Sequence, residues 1–197
     1  MKKGWVILIA VVVVVLLIVG AVINIYNNLV SLEESVNQAW AQVSNQYQRR
    51  ADLIPNLVET VKGYAAHERE TLESVIQARA NATSLNVTPE VLNDPEAFAK
   101  FQQVQGELST ALSRLMAVAE NYPNLKANEN FLALQSQLEG TENRIAVERQ
   151  RFNQAVQTYN TRIRRFPNNI FAGMFGFEKK IYFEAQEGAE VAPKVEF

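Results

Sequence analysis

Residues 6–23 read VILIAVVVVVLLIVGAVI, an unbroken apolar stretch of 18 residues, and no charged residue occurs between Lys3 and Glu33. A helix rises about 1.5 Å per residue, so a helix from Trp5 to Tyr26 would be roughly 30 Å long, the thickness of the hydrocarbon core of a bilayer. Trp5 and Tyr26 stand at its two ends, where aromatic side chains favour the membrane–water interface. The stretch therefore predicts a transmembrane anchor over residues 5–26.

Two other interpretations of this stretch are open. A buried core helix would need an equally apolar remainder of the chain to surround it, but the remainder is amphipathic. A cleaved signal peptide is the stronger alternative, with Lys2 and Lys3 as its basic region and Val19-Gly20-Ala21 as the cleavage site. The apolar region of a signal peptide usually has only about 7–15 residues, and here the helical pattern continues past Ala21. We therefore expect an anchor that is not cleaved.

The charges that flank the anchor predict its orientation. Lys2 and Lys3 precede it, and the 20 residues that follow Tyr26 contain no Lys or Arg. The positive-inside rule then places residues 1–4 in the cytoplasm and the rest of the chain on the other side of the membrane.

Past the anchor, apolar residues recur at alternating intervals of three and four, which is the spacing of one helix face and not of a strand. Three such series run from Leu29 to Ile76, from Phe98 to Tyr122 and from Phe131 to Phe166. Long helices with one apolar face each must bury those faces together. The sequence predicts an all-α fold, in which the transmembrane helix continues into an elongated antiparallel helical bundle over residues 27–168. We expect three to four long helices with coiled-coil-like packing, because the third series repeats nearly every 3.5 residues.

Proline and polar residues predict where these helices end. Pro55 lies inside the first series and should kink that helix or break it at Ile54. Residues 80–95, rich in Asn, Thr and Pro, predict a loop, after which Asp94 caps a helix with Pro95 in its first turn. Residues 121–124 and 166–167 should end the second and third helices.

The chain after residue 168 changes character. Residues 169–183 are dense in aromatic side chains, and Phe171, Phe175 and Phe177 are candidates for packing or for subunit contact. This stretch could cap its own bundle, join subunits or lie at a membrane surface. We expect the cap, because Pro167 turns the chain back where the third helix ends. The acidic, small residues of 184–197 predict a disordered tail.

The composition argues against several kinds of chemistry. The chain has no Cys and a single His, His67, which excludes disulfides, iron–sulfur clusters, thiol catalysis and any metal site that needs two histidines from one chain. The formal charge of −2 gives no electrostatic signature of nucleic-acid binding. The eight glycines form no phosphate-binding loop. We expect no catalytic residues, no cofactor, no metal and no small-molecule substrate.

Several charged residues lie close to the apolar faces. Arg50 and Asp52 precede Pro55, and the third helix carries Glu142, Arg144 and Arg149 among its apolar positions. They could form a binding site for a partner. The simpler interpretation, which we favour, is that they form buried or peripheral ion pairs that fix the register of the helices.

Several blocks of sequence resemble the bacterial LemA family. They are YNNLV at 26–30, QYQRRADLIPNLV at 46–58, NYPNLKA at 121–127, QSQLEGTENRIAVER at 135–149 and KIYFEA at 180–185. The resemblance covers essentially the whole chain. It implies a single-pass membrane protein of bacterial origin with a long helical bundle and no assigned enzymatic activity. Some members are associated with magnetosome membranes, which suggests a role in shaping or organising membrane.

Two functions remain open at this stage. The first is a non-enzymatic scaffold at the bacterial cytoplasmic (inner) membrane, with the lipid bilayer and other copies of itself as partners. The alternative is an adaptor that binds another envelope protein, such as a membrane protease, through the polar positions around Arg50 and Glu142.

Overall fold

The computed structural model describes residues 3–85 and 88–184. These residues form six α-helices and one short 3₁₀ helix, and they contain no strand. The helices are α1 (Lys3–Lys62), α2 (Arg69–Ser84), the 3₁₀ helix (Pro89–Asn93), α3 (Pro95–Ala119), α4 (Pro123–Lys126), α5 (Glu129–Arg164) and α6 (Asn168–Phe175). The predicted all-α fold is confirmed. Residues 1–2 of the predicted cytoplasmic end, and all but the first residue of the predicted tail at 184–197, lie outside the described residues.

Helix α1 joins the apolar stretch to the bundle without interruption. Residues 3–21 are exposed along their whole length, and from Leu29 onwards one face of the same helix is buried. That face follows the predicted apolar series through Val36, Trp40, Val43 and Tyr47. The predicted division between anchor and bundle at residues 26 and 27 thus falls inside one 60-residue helix.

The expected break at Ile54 is wrong, because α1 passes through Pro55 and ends only at Lys62. Proline has no N–H group, so the carbonyl four residues earlier, that of Ala51, loses its helical donor. Arg79 of α2 supplies another one, since its Nε donates a hydrogen bond to the Ala51 carbonyl oxygen over 2.7 Å. A side chain from the neighbouring helix therefore satisfies the group that Pro55 leaves free.

The first apolar series belongs to two helices and not to one. The chain reverses between Lys62 and Arg69, and α2 runs back along the distal half of α1, as the contact between Arg79 and Ala51 requires. The loop expected from residue 80 begins later, because α2 continues to Ser84. The helix after it starts as predicted. The Asp94 carboxylate accepts hydrogen bonds from the main-chain N–H groups of Glu96 and Ala97 over 2.9 and 3.1 Å.

Helix α5 lies antiparallel along α1. Asn128, just before α5, donates a hydrogen bond to the Tyr64 hydroxyl beyond the end of α1. Near the other end of α5, Arg162 donates to the side-chain oxygen of Asn28 over 3.0 Å. The buried apolar residues form two clusters, one around Ile54, Leu57, Leu115 and Leu138 far from the anchor, the other around Leu29, Trp40, Phe98, Phe152 and Phe183 near it.

The C-terminal segment completes the half of the bundle nearest the anchor. After α6, Gly176 adopts a left-handed conformation with φ of 77°, which a residue without a Cβ atom adopts at little cost. Residues 177–184 then return along α5 in an extended conformation as far as Arg149. Lys180 of this segment contacts α1 and the 3₁₀ helix, and Phe183 packs against Phe98 of α3.

Candidate functional site

A layer of polar side chains crosses the middle of the bundle around Arg50. The Arg50 side chain is only 1% exposed. Its Nη1 donates to Glu142 Oε1 over 2.7 Å and to Ser109 Oγ over 2.8 Å. Its Nη2 donates to Gln105 Oε1 over 2.6 Å and to the Gln105 carbonyl oxygen over 3.2 Å. One guanidinium group of α1 thus connects α3 and α5, and we call these four residues the polar layer.

The two charges of this layer have different surroundings. Arg50 is enclosed and must keep its partners, because a buried cation without them is costly. The Glu142 side chain is 43% exposed and lines the mouth of a groove between α3 and α5, a space of about 740 Å³ that Leu112, Met116 and Leu138 also border. A molecule in that groove could contact Glu142 directly.

The structure brings some of the predicted charged residues together and leaves others apart. Arg149 borders the same small cavity as Arg50 and Glu142, and its guanidinium carbon lies 4.5 Å from the centre of the Phe183 ring. Asp52 is exposed and accepts a hydrogen bond from Gln48 on its own helix. Arg144 is exposed on α5. Asp52 and Arg144 are therefore not part of the polar layer.

Tyr47 lies beside the polar layer. The Arg50 guanidinium carbon lies 5.2 Å from the centre of the Tyr47 ring. Burial raises the pKa of the Tyr47 hydroxyl above its ordinary value, although the positive charges of Arg149 and Arg50 act against this shift. The ring is thus a neutral, largely apolar face against which a buried cation can pack.

Two members of the polar layer, Gln105 and Ser109, were not among the site residues predicted from the sequence. Gln105 is buried on the apolar face of α3. A polar residue in an otherwise apolar series is the signal that could have identified it. Its partner, however, lies 55 residues earlier in the chain, and spacing along one helix does not reveal such a pairing.

Two asparagines of α5 hold the C-terminal segment through its main chain. Asn160 donates to the Lys180 carbonyl oxygen over 2.8 Å and accepts from the Lys180 N–H over 3.0 Å. Asn153 does the same with Phe183, over 3.0 and 2.9 Å. The Phe183 ring then lies 5.0 Å from Phe98, centre to centre. We call this arrangement the asparagine clamp. Its hydrogen bonds involve only the main chain of residues 180 and 183, so they would suit any residue except proline there.

Lys180 is buried in the same region and is fully paired. Its Nζ lies 2.8 Å from a carboxylate oxygen of Glu33 on α1 and donates to the side-chain oxygen of Asn93 over 2.9 Å. The same Nζ lies 5.8 Å from the centre of the Tyr159 ring. The C-terminal segment is therefore bonded to α1, to the 3₁₀ helix and to α5.

The predicted C-terminal aromatics lie beside the end of the apolar stretch. The rings of Phe175 and Phe177 are 5.1 and 5.8 Å from the Tyr26 ring, centre to centre. Phe177 and Phe171 are partly buried, whereas Phe175 is exposed. Trp5, at the other end of the stretch, is exposed. This segment packs against its own chain at the base of the bundle.

Comparison with known proteins identifies the family. A model of the LemA family matches residues 39–197, which is most of the chain. The chain belongs to the LemA family. The matched residues contain the whole polar layer and the asparagine clamp, while the apolar stretch lies before them.

Named relatives of this LemA-family chain include magnetosome proteins. It is 26% identical over 181 residues to a magnetosome protein MamQ of Paramagnetospirillum magneticum, with 84% of this chain and 66% of the relative covered. MamQ of Magnetospirillum gryphiswaldense matches to the same extent. A protein LemA of Metamycoplasma hominis is 22% identical over 161 residues, covering 82% of this chain and 69% of the relative. The chain thus spans just under two thirds of the length of the MamQ proteins.

Among the described residues of this LemA-family chain, α1 is the one helix long and apolar enough to cross a membrane. Its apolar window has no residue buried inside the protein. Such a surface in water would be far larger than the apolar patches that soluble monomers expose. Family and helix together indicate a membrane-associated protein.

Proposed function

We propose that this LemA-family protein is a non-enzymatic scaffold, anchored by one transmembrane segment over residues 5–26, that associates with copies of itself at the bacterial cytoplasmic membrane. The observation that carries the proposal is the continuity of α1. The same 60-residue helix is exposed over its apolar stretch and buries one face in the bundle. A bundle attached in this way projects from the membrane as a rigid extension of its anchor, as a scaffold requires.

The polar layer supports a structural role over a catalytic one. The Nη groups of Arg50 are bonded to side chains and a carbonyl of the same chain. We infer that Arg50 and Glu142 fix the register of α1, α3 and α5, because any axial slip would separate a buried cation from its acceptors. The magnetosome relatives favour a role in organising membrane.

Self-association is supported by apolar side chains on the outer surface of the bundle. Leu132 and Val147, both on α5, are 47% and 46% exposed. Both lie in the part of the molecule far from the C-terminal helix α6. Apolar residues on such a surface can pack between two copies of the bundle.

Light scattering on the detergent-extracted full-length protein, corrected for detergent, tests self-association. We expect a homogeneous mass that is a multiple of one chain. The double variant L132E/V147E should lower this mass, and Q103E, which places one such negative charge on an exposed position of α3, should not. A wild-type mass of one chain would refute the proposal.

The adaptor alternative rests on the groove between α3 and α5, where Glu142 is accessible. It requires the opposite result, a single chain that co-purifies in fixed ratio with another envelope protein. Loss of that protein from the E142Q variant, with retention in Q103E, would favour the adaptor.

We propose further that the N-terminus is cytoplasmic and the bundle extracytoplasmic, as Lys2 and Lys3 favour. The chain has no Cys, so a single cysteine in Q103C gives an unambiguous label. A membrane-impermeant thiol reagent should label Q103C in intact spheroplasts. Labelling only after lysis would reverse the proposed orientation.

A further inference from the structure

Helix α6 carries apolar side chains that the described residues of the chain leave exposed. Ile170 and Met174 lie one turn apart on its outer face, and Phe166 precedes them by the same interval. Phe166 is 81% exposed and Met174 is 72% exposed, and Ile170 and Phe175 are exposed as well. So many exposed apolar side chains within ten residues form a patch of the kind that marks an interaction surface.

The position of α6 indicates what this patch meets. Its last residue, Phe175, contacts Tyr26 at the end of the apolar stretch. Residues 3–21 are all exposed, but Val22 and Ile25 are partly buried, and Ile25 packs against the cluster that contains Ala172 of α6. The protein therefore begins to cover α1 within the predicted membrane segment, and α6 lies beside the end of that segment.

Basic side chains flank the same helix. Arg164 and Arg165, directly before α6, are exposed, and so is Lys179 after it. Glu178 is the one acidic residue in the sequence from 164 to 179. An apolar face bordered by an excess of positive charge is the composition of a helix that lies in a membrane interface, where phosphates surround the acyl chains.

We propose that α6 lies in the interface of the bilayer that its own anchor spans. Phe166, Ile170 and Met174 enter the boundary between headgroups and acyl chains, while Arg164 and Arg165 bind lipid phosphates. The patch is continuous with the lipid-facing surface of α1 through Tyr26 and Phe175, which favours lipid over a second copy of the chain as its occupant. The bundle is then held to the membrane at two points, and its tilt relative to the membrane is fixed.

The inference rests on membrane anchorage and is independent of self-association. It is tested with the full-length protein in vesicles of phosphatidylcholine and phosphatidylglycerol. Because the wild-type chain has no Cys, three single-cysteine variants can each carry one environment-sensitive fluorophore. M174C reports on α6, L16C reports on the middle of the anchor, and I76C is an exposed apolar position on α2 of the bundle.

Lipids with a doxyl quencher near the headgroup or near the bilayer centre then measure the depth of each label. We expect M174C to lose fluorescence mainly to the shallow quencher, L16C mainly to the deep one, and I76C to neither. Adding R164Q and R165Q should reduce the loss at M174C, and an undiminished loss would overturn the role of these arginines.

The remaining outcomes separate the inference from the anchorage on which it rests. Quenching at L16C without quenching at M174C would leave the anchor in place and overturn the interfacial position of α6. No quenching at either position would overturn both. An M174C signal that responds to protein density in the vesicle and not to the quenchers would assign the patch to a second copy, and would also overturn the proposal.

Discussion

Replacing Arg79 with Met tests why helix α1 continues through Pro55. The substitution keeps an aliphatic side chain on α2 but removes the Nε donor that lies 2.7 Å from the Ala51 carbonyl oxygen. Ala51 is only 4% exposed, so water cannot easily replace that donor. Leaving a buried acceptor without a partner costs about 1–3 kcal/mol, and we expect a loss of that size in the free energy of unfolding.

Arg79→Met should lower the free energy of unfolding much less when residue 55 has an N–H group that can donate a hydrogen bond. In a Pro55→Ala background, the new N–H of residue 55 forms the helical hydrogen bond to the Ala51 carbonyl, and Arg79 becomes dispensable. Pro55 is exposed, so its replacement removes no core contact. The two changes should therefore be coupled by about 1–2 kcal/mol, the size found for residues that share one bonded group.

Urea unfolding of the four full-length proteins in mild detergent, followed by helical circular dichroism, measures this coupling. Arg69→Met is the matched control, because Arg69 is exposed on the same helix, and it should change stability by less than about 0.5 kcal/mol. If Arg79→Met costs the same in the wild-type protein and in the Pro55→Ala background, the Ala51 carbonyl does not depend on Arg79 and the reasoning fails.

Three further predictions concern the polar layer, the C-terminal segment and the effect of pH. Arg50→Met should lower the free energy of unfolding in urea by about 2–4 kcal/mol, because it leaves buried acceptors without a donor. Glu142→Gln should lower it by under about 1.5 kcal/mol, because that carboxylate is 43% exposed, and equal losses for the two variants would contradict the assigned burial. Phe183→Ala should lower the free energy of unfolding by about 3–5 kcal/mol, as for other buried Phe truncations, and Tyr182→Ala, at an exposed neighbouring position, should lower it far less. Similar melting temperatures for the two variants would show that the C-terminal segment does not pack against the bundle. Burial raises the pKa of Tyr159, so the stability that this tyrosine contributes is complete below about pH 10, the ordinary tyrosine pKa, and is lost as the pH rises further. In unfolding curves measured over a pH series, Tyr159→Phe should reduce this alkaline loss of stability, and an identical dependence on pH in the two proteins would refute the assignment.

Local patterns in the sequence predicted most of the helices. The apolar stretch, the second and third apolar series, and the Asp94–Pro95 start of α3 are each set by neighbours a few residues apart. Helix periodicity, hydrophobic length and capping act over that range, so they can be recognised without knowing the fold. For the same reason the family was recognisable from blocks of consecutive residues, and α3 and α5 lie close to where they were expected.

The candidate site was only partly predictable. Arg50 and Glu142 stood out as charges on apolar faces, and their pairing spans 92 residues. Gln105 and Ser109 complete the layer only because α3 packs beside α1 in one particular register. The sequence named Arg50 and Glu142 together with Asp52 and Arg144, which are exposed, and the packing of the helices decided which of these charges are paired in the layer.

Tertiary structure alone decided the remaining features. The helix through Pro55 continues because Arg79, 24 residues further along the chain, returns to the same point in space. The chain reversal between α1 and α2 could not be predicted from the sequence, because the apolar spacing continues through the residues that form it. Residues 177–184 have no periodic signal of their own, and they are extended because Asn153 and Asn160 of α5 bind their main chain. For the helix through Pro55 and for the C-terminal segment, a group left unpaired by local structure finds its partner at long range, and spacing within one element carries no information about that partner.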